Sequence, residues 1–70
     1  MNKYIVPICD SESCFIIDTN ARSLAEAEDK LLQNINDMYR LEYNNWDELV
    51  DYEWEKGTLT IGEIKDIEEF

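Results

Sequence analysis

The side chains with most chemical potential in this chain are carboxylates, and they are gathered. Glu42 to Glu55 (Glu-Tyr-Asn-Asn-Trp-Asp-Glu-Leu-Val-Asp-Tyr-Glu-Trp-Glu) holds six of them and no basic residue. Asp47 with Asp51, and Glu48 with Asp51, stand at i,i+4 and i,i+3 spacing, which a helix turns to one face. Paired carboxylates do acid–base work when burial sets their environments apart. This polar window reads as exposed, so no catalytic pair is expected from it. Carboxylate oxygens suit calcium or magnesium, but the spaced acids and central glycine of an EF-hand loop are absent. Ser11, Ser13 and Ser23 have no histidine to activate them, because the chain contains none. Gly57 and Gly62 are the only glycines, too few for a phosphate-cradling loop. No catalytic residue, cofactor or metal site is expected, and the chain reads as a non-enzyme.

The two cysteines, Cys9 and Cys14, flank Asp10-Ser11-Glu12-Ser13. If those four residues turn a hairpin, the sulfurs face each other across the strand pair. Two readings stand: a disulfide or redox pair, or two small buried apolar side chains in a reducing cell. Two thiols without a histidine are too few for a zinc site.

Seventy residues make one domain, 1–70, with a modest core. The hydrophobic share of 44% places the chain among folded proteins. Seventeen acidic residues against six basic ones leave a formal net charge of -11. Such a charge repels nucleic acid and anionic membranes, attracts basic protein surfaces, and makes association salt-sensitive. It also maintains solubility, which is its plainer use. Met1-Asn2-Lys3 leads directly into a strand-like run, with no signal peptide, and no apolar run approaches the ~20 residues of a membrane span. The expected location is the cytoplasm.

The elements that must present the acidic window follow from periodicity. Lys3 to Cys9 is rich in β-branched and aromatic residues and reads as a strand. Pro7 puts it at an edge or leaves its N–H side unpaired at that point. Cys14 to Ile17 is a second short strand, Asp10 to Ser13 a four-residue hairpin loop, and Asp18 to Arg22 a connection. Both faces of the hairpin are apolar, as if covered on two sides by a partner or a second copy. Ser23 with Glu26 fits a capping box. After it Leu24, Ala27, Leu31, Ile35 and Met38 recur at helical spacing, widened by Ala25, Leu32 and Tyr39. Glu26, Asp29, Lys30, Gln33, Asn36, Asp37 and Arg40 take the polar face, and Glu26–Lys30 is an i,i+4 ion pair. Glu28 falls inside the apolar arc, either at its edge or facing a partner. Asn44-Asn45 ends this helix, since asparagine tolerates the left-handed cap.

Residues 46–56 admit two descriptions. Asn45 as N-cap, Glu48 three residues on and Gly57 as a stop favour a helix with Trp46, Leu49, Val50 and Trp54 inside. The alternation of Val50 to Glu55 favours a strand. The helix is preferred, although it places Glu53 within the apolar arc. Thr58 to Ile61 is the last strand, and Gly62 marks a bulge that shifts the apolar phase toward Ile64. The expected architecture is a small α+β domain in the order β-β-α-α-β. It has a three-stranded, antiparallel-rich sheet with both helices on one face, and a crossover that sets the last strand beside the first.

As a helix, Glu42 to Glu55 spans about 20 Å at ~1.5 Å per residue. Six charges over that length approach the ~3.4 Å per charge of one DNA strand. The candidate partner-binding residues are therefore Asp47, Glu48, Asp51 and Glu55 as phosphate mimics, with Glu42 and Glu53 in support and Tyr52, joined by Trp46 or Trp54 if either is not buried, as an aromatic anchor. The alternative is a solvated acidic face over buried tryptophans.

The opening Lys-Tyr-Ile-Val-Pro-Ile, the helix start Ala-Arg-Ser-Leu-Ala-Glu-Ala-Glu and the closing Ile-Gly-Glu-Ile-Lys-Asp-Ile-Glu-Glu-Phe resemble small proteins of phages and other mobile elements. In size and acidity the chain is similar to phage-encoded inhibitors of bacterial defence, including anti-CRISPR proteins. That resemblance implies an inhibitor that imitates DNA and acts in the bacterial host cytoplasm. Its partner would be a basic nucleic-acid-binding protein such as a Cas effector, with no direct contact to nucleic acid. The alternative is a structural or regulatory interaction module that dimerises through its hairpin.

Overall fold

Tyr4, Val6 and Ile8 alternate along the first strand and are all buried, so one face of that strand looks into the molecule. The computed structural model describes residues 1–67. They form strands β1 (Asn2–Cys9) and β2 (Cys14–Ala21), helices α1 (Leu24–Tyr39) and α2 (Trp46–Lys56), and the short strands β3 (Thr60–Ile61) and β4 (Lys65–Asp66). The α+β class and the β-β-α-α-β order stand, with a fourth strand added. β1 is central. It pairs antiparallel with β2 on one side, and with β3 and then β4 on the other. The last strands thus lie beside the first, as the crossover required.

The sheet's inner face supplies Val6, Ile8 and Ile17 to the main core, where Leu31, Leu32 and Ile35 of α1, Leu49 of α2 and Leu59 complete it. A smaller cluster joins Tyr4, Ala21 and Ala27. Burying aliphatic side chains of this kind contributes about 1.5–3 kcal/mol each. On the opposite face Ile16 is exposed and Ile5 half-buried, so the second apolar face of the hairpin has no cover from within the described chain.

Pro7 sits on the central strand, with its N side unpaired. Its carbonyl accepts from the Gly62 N–H at 2.9 Å, and the Lys3 carbonyl accepts from the Ile67 N–H at 3.0 Å. Odd-numbered residues of β1 therefore turn their backbone groups toward β3 and β4. Proline has no N–H to offer there, and the facing strand breaks into β3 and β4 around it. Gly62 lies at that break rather than at a simple bulge. A Cβ on it would stand 2.5 Å from Pro7 Cγ.

Four other expectations need correction. β2 runs on to Ala21, because Asp18 to Ala21 pair in register with Ile5 to Asn2 and Asp18 meets Lys3 at 3.2 Å. α1 ends at Tyr39, well before Asn44. Arg40 takes the left-handed conformation (φ 56°) as its cap. The cause is Asn36, which was placed on the polar face but is buried. Its side chain donates to the Tyr43 carbonyl at 3.0 Å and accepts from the Tyr43 N–H at 3.3 Å, folding the chain back. Leu24 and Met38, assigned to the apolar stripe, are exposed. The helix start is as expected: Ser23 accepts from the Glu26 N–H, while Glu26 accepts from Arg22 N–H and meets Lys30 at 3.2 Å. The Lys30 contact first, then the Arg22 N–H, holds the Glu26 carboxyl below its ordinary range.

Cys9 and Cys14 form a disulfide. They are not buried thiols: Cys14 is exposed and Cys9 half-buried. The register explains the pairing. The two residues oppose each other across the last rung, with Cα atoms 4.0 Å apart, a position whose backbone groups point away from the partner strand. Below it the Asp10 N–H donates to Ser13 O at 2.9 Å, and Asp10 Oδ1 accepts from the N–H groups of Ser13 and Glu12. Those two N–H groups, Ser13 first, keep the Asp10 carboxyl below its usual range. Tyr39 donates to its other oxygen at 3.2 Å and ties the loop to α1.

Two measurements follow from these contacts. Gly62→Ala lowers stability by about 1–3 kcal/mol in denaturant unfolding, as overpacking does. In a Pro7→Ala background most of that loss disappears, because the clashing ring is gone; an undiminished loss would place the strain elsewhere. Reducing the disulfide releases a short loop and lowers stability by about 2 kcal/mol by loop-closure entropy, without loss of the folded circular dichroism spectrum at room temperature.

Candidate partner-binding face

Residues 46–56 are helical. Asn45 in extended conformation accepts from the Glu48 N–H at 2.8 Å, and Glu48 reaches back to the Asn44 N–H at 3.4 Å. This is the reciprocal cap that the sequence offered. At the other end Gly57 takes a left-handed φ of 70°, and its N–H satisfies the carbonyls of Glu53 and Trp54. Acids in the first turn and Lys56 in the last complement the helix dipole.

The helix is rolled relative to expectation. Its buried residues are Leu49 and Glu53, whereas Trp54 is 68% exposed. Glu53, expected to support the outward face, is therefore withdrawn from it. A carboxylate is tolerated inside only when paired and hydrogen-bonded. Tyr43 donates its hydroxyl to Glu53 Oε2 at 2.7 Å, and Lys56 meets the same oxygen at 3.2 Å. Lys56 also donates to the Tyr43 hydroxyl at 3.0 Å and lies 5.6 Å from that ring's centre. The hydrogen bond to Tyr43, then the pairing with Glu53, raises the Lys56 pKa. Sequence spacing shows Lys56 three residues from Glu53, but nothing local announces Tyr43.

With Leu49 and Glu53 inward, Asp47, Asp51 and Glu55 form an outward stripe at i,i+4,i+8, all exposed. Glu48 flanks it, half-buried by its capping role. Tyr52 is 53% exposed and stacks on Tyr43, with ring centroids 6.2 Å apart and planes at 12°. An aromatic held in this way presents area with little rotamer freedom left to lose. Together with Asn45 these residues line a shallow concavity of about 350 Å³. Glu42 is exposed but belongs to the segment before α2. Five of the seven anticipated residues thus share one face: Asp47, Glu48, Asp51, Tyr52 and Glu55.

The three ion pairs of the described residues lie elsewhere: Lys3–Asp18, Lys30–Glu26 and Lys56–Glu53. The outward stripe of α2 keeps its charge uncompensated. Acidity is not confined to it, since Glu12, Asp29 and Asp37 are exposed on other elements. Beside the stripe lies a second, larger groove of about 440 Å³ with an apolar floor of Leu24, Trp46, Val50, Ile61 and Ile64. The sequence reading puts Leu24, Trp46 and Val50 in the core; Leu24 is exposed, while Trp46, which also packs against the core, and Val50 are half-buried on the floor of this groove. Among the described residues no group of three or more His, Cys, Asp or Glu side chains is arranged to hold a metal ion, and no helix is long and apolar enough to cross a membrane.

The roll of α2 sets an unusual order of sensitivities. Glu53→Ala strands the Tyr43 hydroxyl and leaves a gap, and lowers stability by about 1–3 kcal/mol. Trp54→Ala, despite removing the larger side chain, stays within about 0.5 kcal/mol in the same urea titration. The reverse order would mean that the helix packs on its tryptophan. Compared with models of known families, with curated proteins and with solved structures, the chain matches none.

Proposed function

We propose that this chain is a binding protein, not an enzyme, and that it docks the outward face of α2 onto a basic nucleic-acid-binding surface of another protein. The observation that carries the reading is the uncompensated stripe Asp47, Asp51 and Glu55, flanked by Glu48 and Tyr52, on a helix capped at both ends. Asp47 to Glu55 covers eight residue steps, about 12 Å at ~1.5 Å per residue. Four carboxylates over that length stand on average ~4 Å apart along the axis, close to the ~3.4 Å per charge of a DNA strand. The burial of Glu53, and the place of Glu42 outside α2, therefore leave the charge density of the face nearly unchanged. A positively charged channel meets on it a firm body with the line charge of its substrate. Tyr52 adds an anchor of the kind that dominates interface energies.

The target class implied by the resemblance in size and charge is a bacterial defence nuclease, such as a Cas effector. The protein would act there as a phage-encoded inhibitor in the host cytoplasm, blocking substrate entry by occupancy and by charge. Glutathione keeps thiols reduced in that compartment. The hairpin register would then rest on its eight strand pairs and on the Asp10 turn.

A second reading has its own observation. The outer sheet face exposes Ile16 beside Pro7, and β2 is an edge strand of eight residues. A homodimer formed there would make the acidity a matter of solubility alone. Sedimentation separates the two, since a monomer at working concentrations leaves the dimer without support.

The docking reading is tested by competition with fluorescent single-stranded DNA for a purified basic nuclease. Affinity should fall steeply between ~0.05 and ~0.2 M salt, in line with the shortening Debye length. Asp47→Asn, Glu48→Gln, Asp51→Asn and Glu55→Gln combined should abolish competition, while the variant's own thermal stability rises as repulsion is relieved. Competition that survives all four changes overturns the proposal.

A further inference from the structure

We infer that the groove beside α2 is a docking site for a basic amphipathic peptide segment of a protein partner. The inference rests on the docking reading only in sharing Asp47 and Asp51; its evidence is the groove itself. The floor is apolar and made by three separate elements, α1, α2 and the β3–β4 turn. The rim carries Glu28, Asp47, Asp51 and Glu63, and no basic residue lines any part of it. Among the described residues none of these four carboxylates forms an ion pair or accepts a hydrogen bond. Its volume of about 440 Å³ lies in the ~300–1,000 Å³ range of ligand sites.

The occupant follows from complementarity. An apolar floor calls for aliphatic or aromatic side chains, and a wall of like charge on both sides calls for cations flanking them. A helix or strand that carries leucines on one side and lysines or arginines beside them satisfies both demands at once. A purely polar cation would leave the floor wet, and a neutral apolar ligand would leave four carboxylates crowded at a dry rim. Glu28 gains a use in this arrangement. It interrupts the apolar arc of α1 because that part of the arc faces the groove and not the core. Leu24, half-exposed at the first turn of α1, belongs to the same surface.

The test uses the full chain with Trp54→Phe, which leaves Trp46 in the groove as the only tryptophan. Its fluorescence is followed during titration with three peptides of equal length: lysine–leucine, lysine–alanine and glutamine–leucine. The lysine–leucine peptide should shift Trp46 emission to the blue and bind at least about tenfold tighter than either control, as burial of leucine side chains allows. Leu24→Ser, at an exposed position that the fold does not need, should remove most of that advantage without changing the circular dichroism spectrum. Glu48→Gln with Glu55→Gln lies outside the groove and should leave peptide binding little changed while weakening competition with DNA. Equal binding of the lysine–leucine and lysine–alanine peptides overturns the groove site and leaves the acidic face standing. An equal response to spermine overturns it in favour of a small polyamine. No shift of Trp46 with any peptide overturns it outright, and the DNA competition then judges the acidic face alone.

Discussion

The packing of the acidic helix turns on a buried carboxylate. Glu53 is 1% exposed, in a chain that already carries a large surplus of negative charge. Left without partners it would be expelled from the interior. It stays because Tyr43 and Lys56 close over its Oε2, and because Asn36 has bent the chain to bring Tyr43 there. That cluster sets the rotation of α2 about its axis. From the rotation follow the burial of Leu49, the release of Trp54 to solvent, and the alignment of Asp47, Asp51 and Glu55 on the outer side. The face is a consequence of how one inner residue is satisfied.

Charge economy runs through the rest of the molecule in the same way. Among the described residues Lys3, Lys30 and Lys56 are committed to ion pairs, each away from the outer stripe of α2. The Lys3–Asp18 and Lys30–Glu26 pairs are exposed and contribute little to stability. They matter here by their location, since a lysine spent on Glu26 or Asp18 is not available to neutralise α2. Lys30 has a further contact, donating to the Asn20 carbonyl at 2.7 Å and so covering part of the open β2 edge. The apolar core under this charged shell is small, which suits a chain of this length.

The sheet shows how one residue type shapes topology. Pro7 on the central strand removes a donor on the side facing β3 and β4. The facing chain answers by breaking its pairing, with Gly62 set close against the proline ring. The break also supplies part of the groove's apolar floor, through Ile61 and Ile64. A local backbone constraint on β1 thus reaches the surface as a concavity next to the acidic helix.

Local signals were sufficient wherever the deciding partner lay within a few residues. The caps Ser23–Glu26 and Asn45–Glu48, the Gly57 stop, the hairpin around Asp10 and the Glu26–Lys30 pair could all be read along the chain, because each is an interaction across one turn. The identity of every element but β4, and the outward acids Asp47, Asp51 and Glu55, came from the same source. Periodicity also set Glu53 within the apolar arc of α2, but tertiary structure alone decided the roll of α2, how Glu53 is satisfied inside, the burial of Asn36, the exposure of Leu24 and Trp54, the early end of α1, the length of β2 and the joining of Cys9 to Cys14. Each of these depends on a partner brought close by folding: Tyr43 for Glu53 and Asn36, β1 for the end of β2, the strand register for the sulfurs. Periodicity reports which residues share a face, but whether a face is buried depends on what the rest of the chain lays against it.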